Sequence, residues 1–219
     1  MAETVETAKV EKAEPLFSKR RKNIVADPLN DDNPITIQVL GICSALAVTT
    51  QMEPTFVMAL AVTVVIVFSN LIISLMRNLI PGRIRIIVQL AVIATLVSLV
   101  DQVLKAYFFD ISKMLSVFVS LIITNCIVMG RLEAFAMGNK PYDSVLDGLG
   151  SGLGYAWIIL TVAFFRELLG SGSVFGIKIF EALHINFPTN GLMVTPVGAF
   201  MVLALIIWVQ RARSGYVEK

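Results

Sequence analysis

The stretch Ile122-Ile123-Thr124-Asn125-Cys126-Ile127-Val128-Met129-Gly130-Arg131 places one of the chain's two cysteines inside a strongly apolar segment. The other cysteine has a similar setting, Leu40-Gly41-Ile42-Cys43-Ser44-Ala45-Leu46. Each opens a run of three apolar segments long enough to enter a bilayer. The fold expected is therefore an all-α integral membrane protein of six transmembrane helices, in two three-helix halves with one cysteine apiece. The expected divisions are a polar tail over 1–32, a first half over 33–110 and a second half over 111–219.

Composition excludes a soluble domain. Of all residues 56% are hydrophobic and 16% charged, against about a quarter charged in soluble proteins. Two cysteines exclude a disulfide scaffold and a four-ligand zinc site within one chain. The single histidine, His184, excludes bis-histidine haem ligation within it. Residues 1–32 carry mixed charge and a basic knot, Lys19-Arg20-Arg21-Lys22, with no apolar core after the first basic residues. They are expected to be a flexible tail anchored beside the membrane, not a cleaved signal.

The first apolar segment is short. From Ile35 to Val48 it has 14 residues, about 21 Å of helix against ~30 Å of hydrocarbon. Pro34 suits a first-turn position. A broken first helix and a tilted ordinary one both fit this length. Pro54 to Met76 is an unambiguous span, closed by Arg77 and a turn at Pro81-Gly82. The third segment starts at Ile86 and ends near Asp101 and Lys105, where an acid is either a solvated anchor or functional. The second cysteine segment, Met114 to Gly130, is 17 uncharged residues and again short, with Asn125 needing a partner. A polar loop is expected over 131–147. The fifth segment then opens on Gly148-Leu149-Gly150-Ser151-Gly152-Leu153-Gly154, whose overlapping G-x-x-x-G pairs favour close helix packing. No strand precedes these glycines, so no nucleotide site is expected there, and no nucleic-acid partner. A Gly/Ser-rich loop over 170–190 leads to the sixth span, Gly191 to Gln210.

Basic residues set the orientation. With the N-terminus cytoplasmic, 14 of the 18 Lys and Arg fall inside and 4 outside. Both termini are therefore expected in the cytoplasm. Three helices per half is an odd count, so repeated halves insert upside down relative to each other. The internal similarity is slight: a short cysteine segment opens each half, an acid follows (Glu53, Glu133), and an arginine ends the second helix (Arg77, Arg166). In that arrangement the two cysteines enter from opposite sides and meet only near the middle.

A lone cysteine in an apolar helix usually serves as a small hydrophobe, and a disulfide would add little to a packed bundle. A metal is the sharper reading. Soft thiolates suit iron with sulfide, and a tetrathiolate cluster needs four cysteines. This chain supplies Cys43 and Cys126, so a partner, expected to be a related chain, must supply the other two.

At Leu40–Thr49, at Ile123–Arg131 with Glu133-Ala134, and at Ala163-Phe164-Phe165-Arg166-Glu167-Leu168, the chain resembles the NqrD/RnfE family. That family comprises membrane subunits of bacterial sodium-translocating NADH:quinone reductases and of Rnf ferredoxin:NAD oxidoreductases. The resemblance runs from about residue 33 to the end. It implies six helices in inverted halves, the inner (plasma) membrane, and a six-subunit complex in which a homologous E subunit of opposite orientation is the partner. It also implies a 2Fe-2S iron–sulfur centre between the two chains, ligated here by Cys43 and Cys126. Electrons from NADH would pass outward through that centre and return to ubiquinone, while the assembly pumps sodium ions. The family's covalent-flavin motif, Ser-Gly-Ala-Thr, is absent, so no covalent flavin is expected on this chain. Leu-Gly-Ile-Cys-Ser-Ala-Leu is closer to the quinone-reductase version than to the Rnf version. The alternatives are the equivalent subunit of an Rnf-type complex, a non-redox small carrier built on inverted repeats, and a purely structural scaffold. Roles for Asp101, Glu133 and Glu167 are not assigned by the sequence.

Overall fold

The longest uninterrupted apolar stretches become the longest helices. The computed structural model describes residues 19–29, 33–107, 120–174, 177–178 and 191–214. Within these, α1 is Lys19–Ala26, followed by a 3-10 turn over Asp27–Leu29. Then come α2 (Ile42–Val48), α3 (Met52–Met76) and α4 (Arg85–Tyr107). After a helical turn over 120–123, α5 (Cys126–Arg131) runs into a π-helical stretch, Leu132–Ala136. The long α6 is Pro141–Gly170, and α7 (Gly191–Val194) and α8 (Pro196–Ser214) complete the chain. A two-residue antiparallel pair, Ser173–Val174 with Ile177–Lys178, is the strand content among the described residues. The 110/111 division, residues 114–119 of the second cysteine segment, and the loop with His184 lie outside the described residues.

Three helices, α3, α4 and α6, are long and apolar enough to cross a membrane, and α8 is a shorter apolar helix. At 25 residues, α3 reaches about 37 Å, more than the ~30 Å required.

The core is the antiparallel pair of α3 and α6. The start of α3 meets the end of α6, where the Met52 amide donates to Glu167 at 2.7 Å. At the opposite ends, Asn70 Nδ2 donates to the Ser144 carbonyl at 3.0 Å. The glycines of α6 permit the approach. A Cβ at Gly152 would stand 2.7 Å from the Thr63 methyl, and one at Gly148 would stand 3.2 Å from Val67 Cα. The second G-x-x-x-G pair faces another way. At Gly150 a Cβ would stand 2.9 Å from the Val25 backbone, and Gly154 presses on the Pro28 carbonyl. The small-residue spacing therefore seats two partners, α3 on one side and residues 19–29 on the other.

Three expectations change. The part of the 1–32 segment over 19–29 is not a free tail, because the notch at Gly150 and Gly154 receives it. The expected loop over 131–147 is mostly helical, and α6 begins at Pro141, not Gly148. Proline lacks only an amide that a first turn leaves unpaired anyway, and Asp143 lies at the positive end of the helix. The expected span over 191–210 is interrupted at Thr195, because Pro196 has no amide to continue the α7 ladder.

Gly152→Val is expected to destabilise by about 1–3 kcal/mol through overpacking against Thr63. This would lower the thermal unfolding midpoint of the purified protein assembly in detergent. Leu153→Val, at a position 51% exposed, should leave the midpoint unchanged.

Candidate functional site

Both cysteine segments are interrupted, and each cysteine stands at the start of the helix that resumes. In the first, Asn33 begins a turn. Its Oδ1 accepts from the Ile35 amide at 3.0 Å, and its Nδ2 donates to the Gly154 carbonyl at 3.2 Å. The turn closes with the Leu40 amide on the Pro34 carbonyl at 2.8 Å. The chain then reverses through two left-handed residues, Val39 (φ 58°) and Gly41 (φ 83°). Glycine takes this conformation freely, but a β-branched valine is strained there by about 1–3 kcal/mol. The α-helix starts only at Ile42, so Cys43 is its second residue. The broken form of the first segment is the one observed.

In the second segment the helical turn over 120–123 ends at Thr124. Asn125 is extended (φ −70°, ψ 119°) and caps α5, its Oδ1 accepting from the Ile127 amide. Cys126 is the first residue of that helix.

The two breaks meet. Asn125 Nδ2 donates to Ser44 Oγ at 3.3 Å, and Ser44 Oγ lies 2.7 Å from Tyr155 Oη on α6. Ser44 Oγ also donates to the Gly41 carbonyl at 2.8 Å. The Tyr155 ring fills the space beside Gly41, where a Cβ would stand 3.2 Å from it. One turn past Cys126, Gly130 receives the Leu40 side chain at a Cβ distance of 2.9 Å. Ser44, Asn125 and Tyr155 are all buried, yet the residues next to them in sequence, Cys43 and Cys126, are exposed free thiols. The polar network thus lies behind the sulfurs and the sulfurs face outward.

From this meeting point the helices run opposite ways along α6. Toward its end, Arg166 Nη1 donates to Thr49 Oγ1 at 2.7 Å and to the Leu46 carbonyl at 3.4 Å, at the end of α2. The same guanidinium donates to the carbonyls of Met193 (3.1 Å), Val194 (2.8 Å) and Thr195 (3.2 Å). Toward the start of α6, Arg131 at the end of α5 forms a buried ion pair with Asp147, its Nε 3.1 Å from Asp147 Oδ2. Beyond it, Arg77, just past α3, and Ser74 of α3 donate to the Asn139 carbonyl at 2.7 and 2.8 Å. Cations at helix C-termini satisfy carbonyls that have no intrahelical partner and oppose their negative end. Glu167 does the converse, accepting from the first turn of α3.

Of the acids, Asp101 pairs with Lys105 one turn on, at 2.5 Å on an exposed face. That is a surface pair worth at most about 1 kcal/mol. Glu133, in the π-helical stretch, pairs with Arg85 and accepts from Gln89 at 3.0 Å. Among the described residues no cluster of three or more His, Cys, Asp or Glu is assembled. Those residues offer two outward thiols and no complete metal site of their own. Ser44, Tyr155 and the capping role of Arg166 are not foreseen from the sequence. The signal for Tyr155 is a hydroxyl in an apolar helix, which needs a partner when buried.

A model of the Rnf-Nqr subunit family, described as a membrane protein, matches residues 21–207. The match thus begins in the packed 19–29 segment, upstream of residue 33. The chain is 57% identical over 196 residues to the D subunit of a Na(+)-translocating NADH-quinone reductase from Photobacterium profundum, covering 89% of this chain and 93% of the relative. It is 54% identical over 205 residues to the protein of that name in Pasteurella multocida (92% and 99%). To the one in Aeromonas hydrophila it is 58% identical over 195 residues (88% and 93%).

Arg166→Met should leave several buried carbonyls without a donor, at about 1–3 kcal/mol each. The expected result is a thermal midpoint lowered more than in Arg166→Lys, whose ammonium replaces part of the five-contact fork. Equal midpoints for Arg166→Met and the unmodified protein would contradict the capping role.

Proposed function

The chain belongs to the Rnf-Nqr family of membrane-protein subunits, and from that premise we propose that it is the D-type subunit of a sodium-translocating NADH:quinone reductase, working in the complex as an electron relay and not catalytic alone. One observation carries the proposal: two free thiols exposed at the starts of two helices whose N-terminal ends are tied together. Both thiols are exposed while the polar residues beside them are buried.

The residues suit a shared 2Fe-2S centre in donor chemistry and in number. Two thiolates are half a tetrathiolate set, and the outward display leaves a homologous E subunit room to supply the other half. When bound, such a centre accepts and passes on one electron at a time. The chain's own contribution is to hold each thiol in a first helical turn. Asn125 and Ser44 keep the two turns together.

The same geometry supports inverted halves and six spans in the inner membrane. The helices α2 and α5 leave the junction in opposite directions, α2 toward Arg166 and α5 toward the Arg131–Asp147 pair. With both termini cytoplasmic, this brings the two thiols to mid-depth. A relay there divides a ~30 Å crossing into shorter steps. The names of the relatives favour the quinone reductase over an Rnf-type complex. A groove of ≈ 720 Å³ between α3 and α4 is lined by apolar side chains such as Phe56, Phe68, Leu96 and Val103. It offers a charged solute no ligand, so it does not favour the carrier reading. Sodium passes through the assembly, and no flavin is held covalently by this chain.

Iron and acid-labile sulfide, measured on the purified complex at matched subunit content, test this reading. Cys126→Ala and Cys43→Ala should each remove about one cluster's worth of iron with other cofactors retained. Unchanged iron would return both residues to the small-hydrophobe role.

A further inference from the structure

We infer that Tyr155 is the positioning residue that sets the relation between the two thiols, by saturating the single hydroxyl, Ser44 Oγ, on which both cysteine segments converge. The inference rests on the reading of Cys43 and Cys126 as ligands of a shared centre.

Hydrogen-bond accounting assigns the roles. A serine hydroxyl has one proton and two acceptor lone pairs. Ser44 Oγ gives its proton to the Gly41 carbonyl at 2.8 Å. The two lone pairs remain for the Asn125 Nδ2 donor at 3.3 Å and the Tyr155 hydroxyl at 2.7 Å. Tyr155 is thereby the donor, and every site on the hydroxyl is filled. Of the two incoming bonds, the one from Asn125 is long for an N–H···O contact, so Tyr155 holds Ser44 more tightly than Asn125 does.

Position makes the hydroxyl matter. Ser44 follows Cys43 directly and Asn125 precedes Cys126 directly, so each sulfur belongs to a residue adjacent to the junction. The Tyr155 ring also packs beside Gly41, whose left-handed turn aims α2. Tyr155 itself is fully buried on α6, the helix locked to α3 through Gly148 and Gly152. It therefore refers both cysteine segments to the most tightly packed part of the fold. Without its hydroxyl, the junction loses the shorter of the two bonds that Ser44 accepts, and the long Asn125 bond is the polar link that stays on Ser44. A cluster's potential responds to hydrogen bonding and exposure around its sulfurs, so loosening this junction alters the centre without removing a ligand.

The test uses the purified complex carrying Tyr155→Phe, Ser44→Ala or both, with iron content, the electron paramagnetic resonance spectrum of the reduced centre and its midpoint potential as readouts. Tyr155→Phe should keep the full iron content but shift or broaden the signal and move the potential. Ser44→Ala should do the same, and the double variant should add little, because both remove one junction. If Tyr155→Phe does not assemble, Ser44→Ala, which leaves every ring contact in place, decides by the same readouts. Full iron with an unchanged spectrum and potential would overturn the inference while leaving the shared centre intact. If Cys126→Ala retains all its iron, the underlying reading fails instead, and the two failures are distinct.

Discussion

A peptide group in a hydrocarbon setting must find its hydrogen-bond partner inside the protein, and this constraint governs the molecule wherever a helix is interrupted. The chain interrupts two apolar segments, at 39–41 and at 124–125. It satisfies the exposed groups locally, with Asn33 on the Ile35 amide, Asn125 on the Ile127 amide and Ser44 on the Gly41 carbonyl. The contact between Asn125 and Ser44 then makes each break the other's support. An uninterrupted helix would satisfy its own backbone at lower cost. The strained Val39 and the paired breaks leave two exposed thiols at two helix starts beside one buried polar junction.

Rigidity is supplied from farther away. The antiparallel α3–α6 pair, closed by glycine contacts, is the frame to which the short helices are fixed at their far ends. Arg166 reaches α2 from α6, and Arg77 reaches the end of the π-helical region from just past α3. Both arginines lie near the C-terminal ends of long helices, Arg166 serving a carbonyl that follows Cys43 and Arg77 one that follows Cys126. Burying a guanidinium is tolerable only when its donors are occupied, and Arg166 meets that condition with five acceptors.

The membrane class, the three long helices and the two cysteines were all legible in the sequence, because charge exclusion and residue identity are local properties. The shortness of Ile35–Val48 fits a broken helix and a tilted ordinary one alike, and the length alone does not choose between them. The left-handed Val39 was not legible, because nothing in a valine side chain encodes positive φ. The glycines of 148–154 predicted close packing, but that they seat two different partners is tertiary information. Residues 19–29 are polar in composition, and only the notch at Gly150 and Gly154 explains why they pack. Lys140-Pro141 is equally at home in a loop or at a helix start, and the acid at 143 with the long apolar run behind it favours the start. Ser44 and Tyr155 are 111 residues apart, so the junction they form has no local signature.

The central claim is that Cys43 and Cys126 bind one centre together with a partner chain. Iron-edge anomalous scattering from crystals of the intact complex addresses it most directly. A pair of adjacent irons is expected, bonded between them by the sulfurs of Cys43 and Cys126 and by two sulfurs of the adjoining subunit. Iron peaks confined to other sites, with the two thiols packed against the partner and no metal between them, would contradict it.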